Sequence, residues 1–251
     1  MKKMKNIVIS WLLPVMILLL WNYASKSELF PKAILPPISK VWKAFGNLFS
    51  SGQLQEDVLI SLVRVLKGYS IAVVLGIFMG TVMGTSETLN QFFSLTLNAI
   101  RQIPMLAWIP LIILWFGIGE ESKVVVIVLG AYFPILLNTM NGIRNVPKGL
   151  IEVSRLYQLG PFEAFRKVYF PSALPSIFVG LKLGLGISWV AVVAAELLAA
   201  SSGIGFRISD ARSLIMADVV IVCMITIGAI GIAMDKGLTW IFQKITPWSK
   251  K

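Results

Sequence analysis

The sequence predicts an all-α integral membrane protein with about six transmembrane helices. Two observations indicate this class. Of the 251 residues, 57% are hydrophobic and only 14% are charged, against roughly a quarter charged in a typical soluble domain. The apolar residues also gather into runs of about 20, the length that crosses a bilayer. Lipid solvates such surfaces, whereas a water-soluble core would leave too little polar covering, so we expect one membrane domain.

The predicted spans follow one another along the whole chain. The first covers about residues 7–23 behind a basic start at 1–5. A cleaved signal peptide is the alternative, but no convincing small-x-small cleavage site follows, and later spans would anchor the chain anyway. Five further apolar runs lie at about 69–85, 98–118, 124–142, 176–200 and 219–241. Pro104 and Pro110 interrupt the third span and Pro134 the fourth, which membrane helices tolerate when neighbours satisfy the freed carbonyls.

A shorter helix is predicted between the first two spans, in 38–49. Its apolar residues recur at helical spacing, with Lys40 and Lys43 between them. They are Val41, Trp42, Phe45, Leu48 and Phe49. Such a pattern is typical of an amphipathic helix lying along the membrane surface.

Glycines recur four residues apart in two of the spans. They are Gly76, Gly80 and Gly84 in the second span, and Gly180 and Gly184 in the fifth. Glycines at this spacing line one helix face and let a second helix approach closely. We expect ordinary helix packing at these faces; faces that slide during a transport cycle are the functional alternative.

Charge predicts how the chain crosses the membrane. The net charge is +11, but the cations are scattered between apolar runs, which favours lipid headgroups and topology over nucleic acid. The positive-inside bias places both termini and the basic loop 143–175 in the cytoplasm. The chain contains no histidine and a single cysteine, Cys223. Histidine-based metal sites and catalytic triads are therefore excluded, and neither a metal nor a catalytic residue is predicted.

The loop 143–175 carries two further helical patterns. Leu150, Val153, Leu156 and Tyr157 form the first, and Phe162, Phe165, Val168 and Tyr169 the second. Gly160-Pro161 lies between them, where a glycine suits the end of one helix and a proline the first turn of the next. We expect two short amphipathic helices with a bend, ended by Pro171 and Pro175. Their apolar faces need a partner, either a groove in another protein or the membrane interface.

The segment from Glu152 to Pro171 resembles the EAA loop of bacterial binding-protein-dependent ABC importer permeases. Glutamate opens that motif and proline closes it about nineteen residues later, with small residues after the glutamate, here Val153 and Ser154. The family usually has glycine where this chain has Gln158. We expect Gly160 with its following proline to place the turn instead.

Three further segments carry the same resemblance, at 61–68, 103–119 and 194–205. The last two are similar to the branch that handles nitrate, sulphonates and taurine; permeases for pyrimidine vitamin precursors or riboflavin are the alternative branch. The resemblance implies the fold of a type I ABC importer transmembrane domain over 57–241. An N-terminal helix with an extracellular linker would then occupy 1–56, and a basic cytoplasmic tail 242–251.

The resemblance also implies partners and a coupling element. A phosphate-cradling GxxxxGK[ST] loop is missing from the sequence, so separate cytoplasmic ATPase subunits would bind the ATP, and the chain itself would need no cofactor and be no enzyme. A second permease copy and an extracellular or periplasmic solute-binding protein would complete an importer in the cell (inner) membrane. The residues expected to couple to the ATPase are Glu152, Val153, Ser154, Arg155, Gln158, Gly160, Pro161, Phe162, Phe165 and Pro171.

Two charged residues fall within the fifth span. Lys182 near its inner end is expected to extend to the interface. Glu196 lies near the outer end of the span. Because intramembrane acids are rare and often functional, we expect it to line the translocation path, hold a gate, or pair with Arg207. Its negative charge would be a poor lining for an anionic cargo. An ion-driven secondary transporter and a membrane anchor or assembly protein remain the alternative classes.

Overall fold

The computed structural model describes residues 2–27, 31 and 33–246, and these residues form helices without a strand. The helices are α1 (Lys2–Lys26), α2 (Ile38–Ser50), α3 (Gln53–Thr85), α4 (Glu87–Gln102), α5 (Met105–Phe116), α6 (Glu120–Arg144), α7 (Lys148–Leu156), α8 (Pro161–Ala164), α9 (Phe170–Ala199), α10 (Ile204–Ser213) and α11 (Ala217–Ile245). The all-α class predicted from composition is confirmed.

Among the described residues, four helices are long and apolar enough to cross a bilayer: α3, α6, α11 and the continuous helix Pro161–Ala199. The pair α4 and α5, bent by 95°, adds a fifth if the two form one span. The predicted first span lies within α1, while the basic side chains of residues 1–5 lie outside the described ones.

The bundle is organised around α3 and α6, which run in the same direction. Glycines of α3 meet α6 at a constant offset of 59 positions: a Cβ on Gly76 would lie 2.8 Å from Ile135, and one on Gly84 would lie 2.9 Å from Ile143. At Gly80 the α6 backbone itself approaches, because a Cβ there would lie 2.6 Å from the Leu136 carbonyl oxygen. Larger residues would push the two helices apart.

The other face of α6 packs on α9 in a similar way. A Cβ on Gly180 would lie 2.7 Å from Asn138, and one on Gly184 would lie 2.9 Å from Ile135. Ile135, fully buried, therefore fits between glycines of two different helices. Close approach at both faces makes α3, α6 and α9 the central layer of the bundle.

The prolines of the central spans act differently from one another. Pro104 separates α4 from α5, whereas α5 continues through Pro110 and α6 through Pro134. Asn138 Nδ2 donates to the Pro134 carbonyl at 2.8 Å, an additional bond close to the proline. Of these three prolines, Pro104 alone marks a break, where α4 and α5 diverge.

The predicted surface helix exists as α2, but only part of its apolar face is exposed. Val41, Ala44 and Leu48 are buried against the bundle, whereas the Trp42 side chain is exposed. Lys40 forms an ion pair with Asp218 at the start of α11 (3.6 Å). The helix is thus attached to the bundle, and its stacked aromatic residues Trp42, Phe45 and Phe49 are available to contact lipid.

Candidate functional site

The two ends of the bundle carry different chemistry. The end with α7, α8 and the connection 145–160 is called the loop end, and the end where α3 and α6 begin is called the opposite end. A cluster of charged and hydroxyl side chains, called the opposite-end cluster, joins the first turns of α3, α6 and α10 to the last turn of α9. Its members are Asp57, Ser61, Arg64, Glu120, Lys123, Glu196, Ser202 and Arg207.

Glu196 lies at the centre of this cluster and is 1% exposed. Its Oε1 accepts hydrogen bonds from Arg64 Nη1 and Ser61 Oγ, both at 2.8 Å. Arg64 is itself 3% exposed. The expected pairing with Arg207 is wrong, because Arg207 Nε donates to Asp57 Oδ2 at 2.7 Å. After α9 ends, the chain reverses so that α10 presents Arg207 to α3 and away from Glu196.

The same side chains bind the start of α10. The backbone N–H groups of Gly203, Ile204 and Gly205 donate to Asp57 Oδ1 (3.1 Å), Ser61 Oγ (3.0 Å) and Glu196 Oε2 (2.9 Å). The first N–H groups of a helix lack intrahelical acceptors, and carboxylates are favoured at that positive end. The turn between α9 and α10 is thereby fastened to the first turns of α3.

Gly203 is required for this arrangement. Its φ is +103°, and a Cβ there would lie 2.5 Å from the Glu196 carboxylate. The left-handed region disfavours any side chain at this position, and the carboxylate occupies the space that a methyl group would need. The turn and Glu196 are therefore fitted to each other.

The charges of the cluster balance. Arg64 also donates through Nε to Glu120 Oε2 at 2.7 Å and through Nη1 to the Ser202 carbonyl at 2.8 Å, and Lys123 lies 3.5 Å from Glu120. Three cations face three carboxylates: Arg64, Lys123 and Arg207 against Asp57, Glu120 and Glu196. A buried charge is tolerable when it is paired in this way, and the cluster offers a passing solute no unpaired carboxylate.

The sequence contains a signal for this cluster in the residues that precede the second predicted span. Asp57, Ser61 and Arg64 stand at positions i, i+4 and i+7, so they share a face if the helix of that span begins before residue 57. Polar residues on one face at the start of an apolar helix indicate a buried polar contact. Their partners could not be identified, because Glu196 is 132 positions from Arg64 along the chain.

At the loop end, the two predicted short helices are α7 and α8, but the second does not end where expected. The helix continues through Pro171 and Pro175 into α9. Residues Phe165–Tyr169 form a π-helical turn just before Pro171. The wider π turn accommodates a proline, which lacks an N–H and crowds the preceding turn of an α-helix. The predicted end at these two prolines is therefore wrong.

The bend after α7 is centred on Gln158. This residue has φ +50°, and two hydrogen bonds close the end of the helix: Leu159 N–H to the Ser154 carbonyl (3.1 Å) and Gln158 N–H to the Arg155 carbonyl (2.9 Å). This pair of bonds is the Schellman motif, whose left-handed residue is usually glycine. The turn expected at Gly160 is thus wrong: Gly160 is extended (φ −61°, ψ 161°) and precedes α8.

The bend presents an apolar tip, defined here as Leu156, Tyr157 and Phe162. These side chains are 81%, 77% and 74% exposed. Ser154 is buried, while Phe165 and Pro171 are half-buried beside the bundle, and the other predicted coupling residues are exposed. The exposed ones are Glu152, Val153, Arg155, Gln158, Gly160 and Pro161. One face of the loop packs against the bundle, and the apolar tip on the other face is exposed.

A cleft of about 630 Å³ separates the loop from the ends of α3 and α6. Arg144 lies in its wall and forms a 2.6 Å hydrogen bond with Glu87, and Ser154 lines the side that belongs to α7. The loop is therefore close to the span ends without filling the space between them, which leaves room for it to move against the bundle.

Comparison with known proteins places this arrangement among transport proteins. The family described as binding-protein-dependent transport system inner membrane component matches residues 72–247. SsuC of Escherichia coli, named as an aliphatic sulfonates transport permease, is 40% identical over 91% of this chain and 87% of its own. The nitrate import permease NrtB of Synechocystis is 36% identical over 82% and 75%.

A solved structure shares the fold. The inward-facing MetNI methionine ABC transporter superposes with a TM-score of 0.62 at 23% identity, over 76% of this chain and 97% of that one. At this level of identity the likeness concerns the fold alone. The architecture of an importer transmembrane domain, expected from the sequence, is confirmed.

Proposed function

The chain belongs to the inner membrane components of binding-protein-dependent transport systems, and from this premise we propose how it is driven and what it carries. Its family consists of permeases of ABC importers, which are transport subunits without enzymatic chemistry. Such a permease works with an ATPase and a solute-binding protein.

The apolar tip of the loop is the proposed contact with the ATPase. The single observation that supports it most is the exposure of Leu156, Tyr157 and Phe162 on a loop whose other exposed side chains are largely polar. Three large apolar groups at one bend are suited to insertion into a groove of another protein. The loop end would then face the cytoplasm, in agreement with the side that the basic residues of 143–175 predict for this loop.

Movement of the ATPase would reach the spans through the continuous helix Pro161–Ala199. A force applied at the bend would act on α8, the π-helical turn and α9 as one connected element. Because α9 ends at the opposite-end cluster, the same element joins the ATPase contact to Glu196. We propose that Glu196 belongs to a gate that holds the turn after α9, and that it does not contact the cargo.

The proposed cargo is a small anion of the sulphonate or nitrate class. Relatives named for sulphonate and nitrate transport match most of the chain, and the buried carboxylates of the opposite-end cluster are neutralised. Glu196, paired with Arg64, would therefore not repel an anion. We further propose that two copies of the chain form the translocation path, and that a solute-binding protein delivers the cargo at the opposite end.

Replacement of Leu156 tests the coupling. In membranes that contain the permease with its cognate ATPase, we expect Leu156→Glu to reduce recovery of the ATPase with the tagged permease at least tenfold, since a charge would enter an apolar groove. The matched control is Lys167→Gln, which changes an exposed charge in the same loop and should leave recovery unchanged. Equal recovery of the ATPase with Leu156→Glu and with the unmodified chain would contradict the proposed contact.

A further inference from the structure

A groove of about 320 Å³ opens on the side of the bundle where α4 and α5 diverge. It is bounded by the end of α4 and the start of α5 on one side, by α6 on the other, and by Ile187 of α9. The volume lies within the range of small-molecule sites, about 300 to 1,000 Å³. It is distinct from the cleft at the loop end, with which it shares no lining residue.

The groove lies at the middle depth of the bundle. Its α6 lining extends from Leu129 to Leu137, near the centre of the helix Glu120–Arg144. Ile187 is likewise close to the centre of α9. Because both helices are long enough to cross the membrane, the groove lies at about half the depth of the membrane-spanning part of the bundle.

Two features shape the groove. The chain bends by 95° at the break before Met105, so that α4 departs from the bundle where α5 begins. Gly130 of α6 lets α5 approach at this point, because a Cβ there would lie 2.6 Å from Met105 Sδ and 3.1 Å from Ile187 Cγ2. A larger residue at position 130 would occupy the base of the groove or require the Met105 side chain to move.

Arg101 is the charged residue among the groove's lining, which is otherwise formed mainly by apolar side chains such as Trp108 and Phe133. It is exposed, and over the described ranges of the chain no ion pair joins its guanidinium to a carboxylate. An arginine at this depth is costly, and such residues mark ion or substrate pathways. The cations of the opposite-end cluster, by contrast, all have carboxylate partners.

We propose that this groove is a transit site for a small oxyanion, a sulphonate, carboxylate or nitrate, held by the guanidinium of Arg101. The planar guanidinium presents parallel N–H donors that match two oxygens of such an anion. The apolar walls would accept a short alkyl chain. This inference rests on the proposed import function and identifies the place where the chain itself recognises the charge of its cargo.

The test is uptake by proteoliposomes that contain the permease, its ATPase and its solute-binding protein. The probes are radiolabelled ethanesulphonate, taurine, nitrate and bicarbonate. We expect Arg101→Gln to lower uptake of every probe that the unmodified transporter carries by about 10- to 100-fold, the effect of removing one charge-assisted hydrogen-bonding group. Arg101→Lys keeps the charge and should retain part of the uptake. Lys43→Gln, which removes a positive charge on α2, is the matched control and should leave uptake unchanged.

Recovery of the ATPase with the permease separates this proposal from the coupling proposal. Lost uptake with normal ATPase recovery supports the anion site; unchanged uptake in Arg101→Gln overturns it. If that variant does not assemble, Leu137→Phe tests the site by reducing the groove volume while keeping the charge. Normal uptake in that variant would overturn the proposal, and selectively reduced uptake of ethanesulphonate would support it. Uptake of riboflavin with none of the four anions would also overturn it.

Discussion

Arg64 and Glu196, which are 132 positions apart in the chain, form a 2.8 Å hydrogen bond between two side chains that are almost fully buried. The bond joins the beginning of α3 to the end of α9. The carboxylate of Glu196 also accepts the N–H of Gly205, so one residue links two long helices and the start of α10. The end of the bundle opposite the loop is therefore fixed by a few polar contacts.

Removal of one member of this pair should be strongly destabilising. We expect Glu196→Ala to lower the free energy of unfolding by about 3 to 5 kcal/mol, because it leaves a buried guanidinium without one of its partners. Ser61→Ala should cost only about 1 to 2 kcal/mol, since it removes a neutral hydroxyl. Thermal unfolding of the purified protein in detergent measures both losses of stability. An equal loss in the two variants would show that Glu196 contributes no more to stability than the Ser61 hydroxyl.

Gly203 provides a second test at the same end. We expect Gly203→Ala to be destabilising by about 2 kcal/mol or more, because a methyl group would combine left-handed backbone strain with a clash against the Glu196 carboxylate. Gly186 in α9 is the control, since a Cβ there meets no atom within 4 Å; Gly186→Ala should be neutral or slightly stabilising. Similar melting temperatures for the two alanine variants would show that the turn is not fitted to Glu196.

The packing of α3 on α6 gives a third prediction. Gly80→Leu should separate the two helices, because even a Cβ at this position would lie 2.6 Å from the Leu136 carbonyl oxygen. We expect a loss of about 2 kcal/mol or more from overpacking. Gly228 in α11, which has open space around its Cβ position, is the control. Comparable yields and melting temperatures for Gly80→Leu and Gly228→Leu would contradict close packing at this face.

Replacement of Gln158 is predicted to stabilise the protein, in contrast to the destabilising changes above. Its left-handed backbone is disfavoured for any residue except glycine by about 1 to 2 kcal/mol, so Gln158→Gly should stabilise the end of α7. We expect slower hydrogen exchange at the Gln158 and Leu159 amides, which close the helix. Gly160→Ala should have little effect, since Gly160 is extended and a Cβ there meets open space. Faster exchange in Gln158→Gly would contradict the assigned bend.

The class of the protein and most of its helices were predictable, because long apolar runs and glycine spacing are local properties. In the loop, local sequence patterns do not determine where the helices bend and end. Both Gly160 and Gln158 were compatible with a bend, and the choice depends on the carbonyls of Ser154 and Arg155. Pro171 and Pro175 resembled helix ends because the sequence gives no sign of a π-helical turn. Pairing with Arg207, one of the three roles expected for Glu196, is wrong, since Arg207 is near in the chain whereas Arg64 is near in space.

The proposed coupling is that a separate ATPase drives the permease through its apolar tip. Uptake of radiolabelled ethanesulphonate or nitrate into proteoliposomes containing the whole transporter, measured with and without ATP, tests it most directly. We predict uptake that requires ATP and is lost in Leu156→Glu but kept in Lys167→Gln. Uptake that continues without ATP under an ion gradient, and is equal in both variants, would contradict the claim.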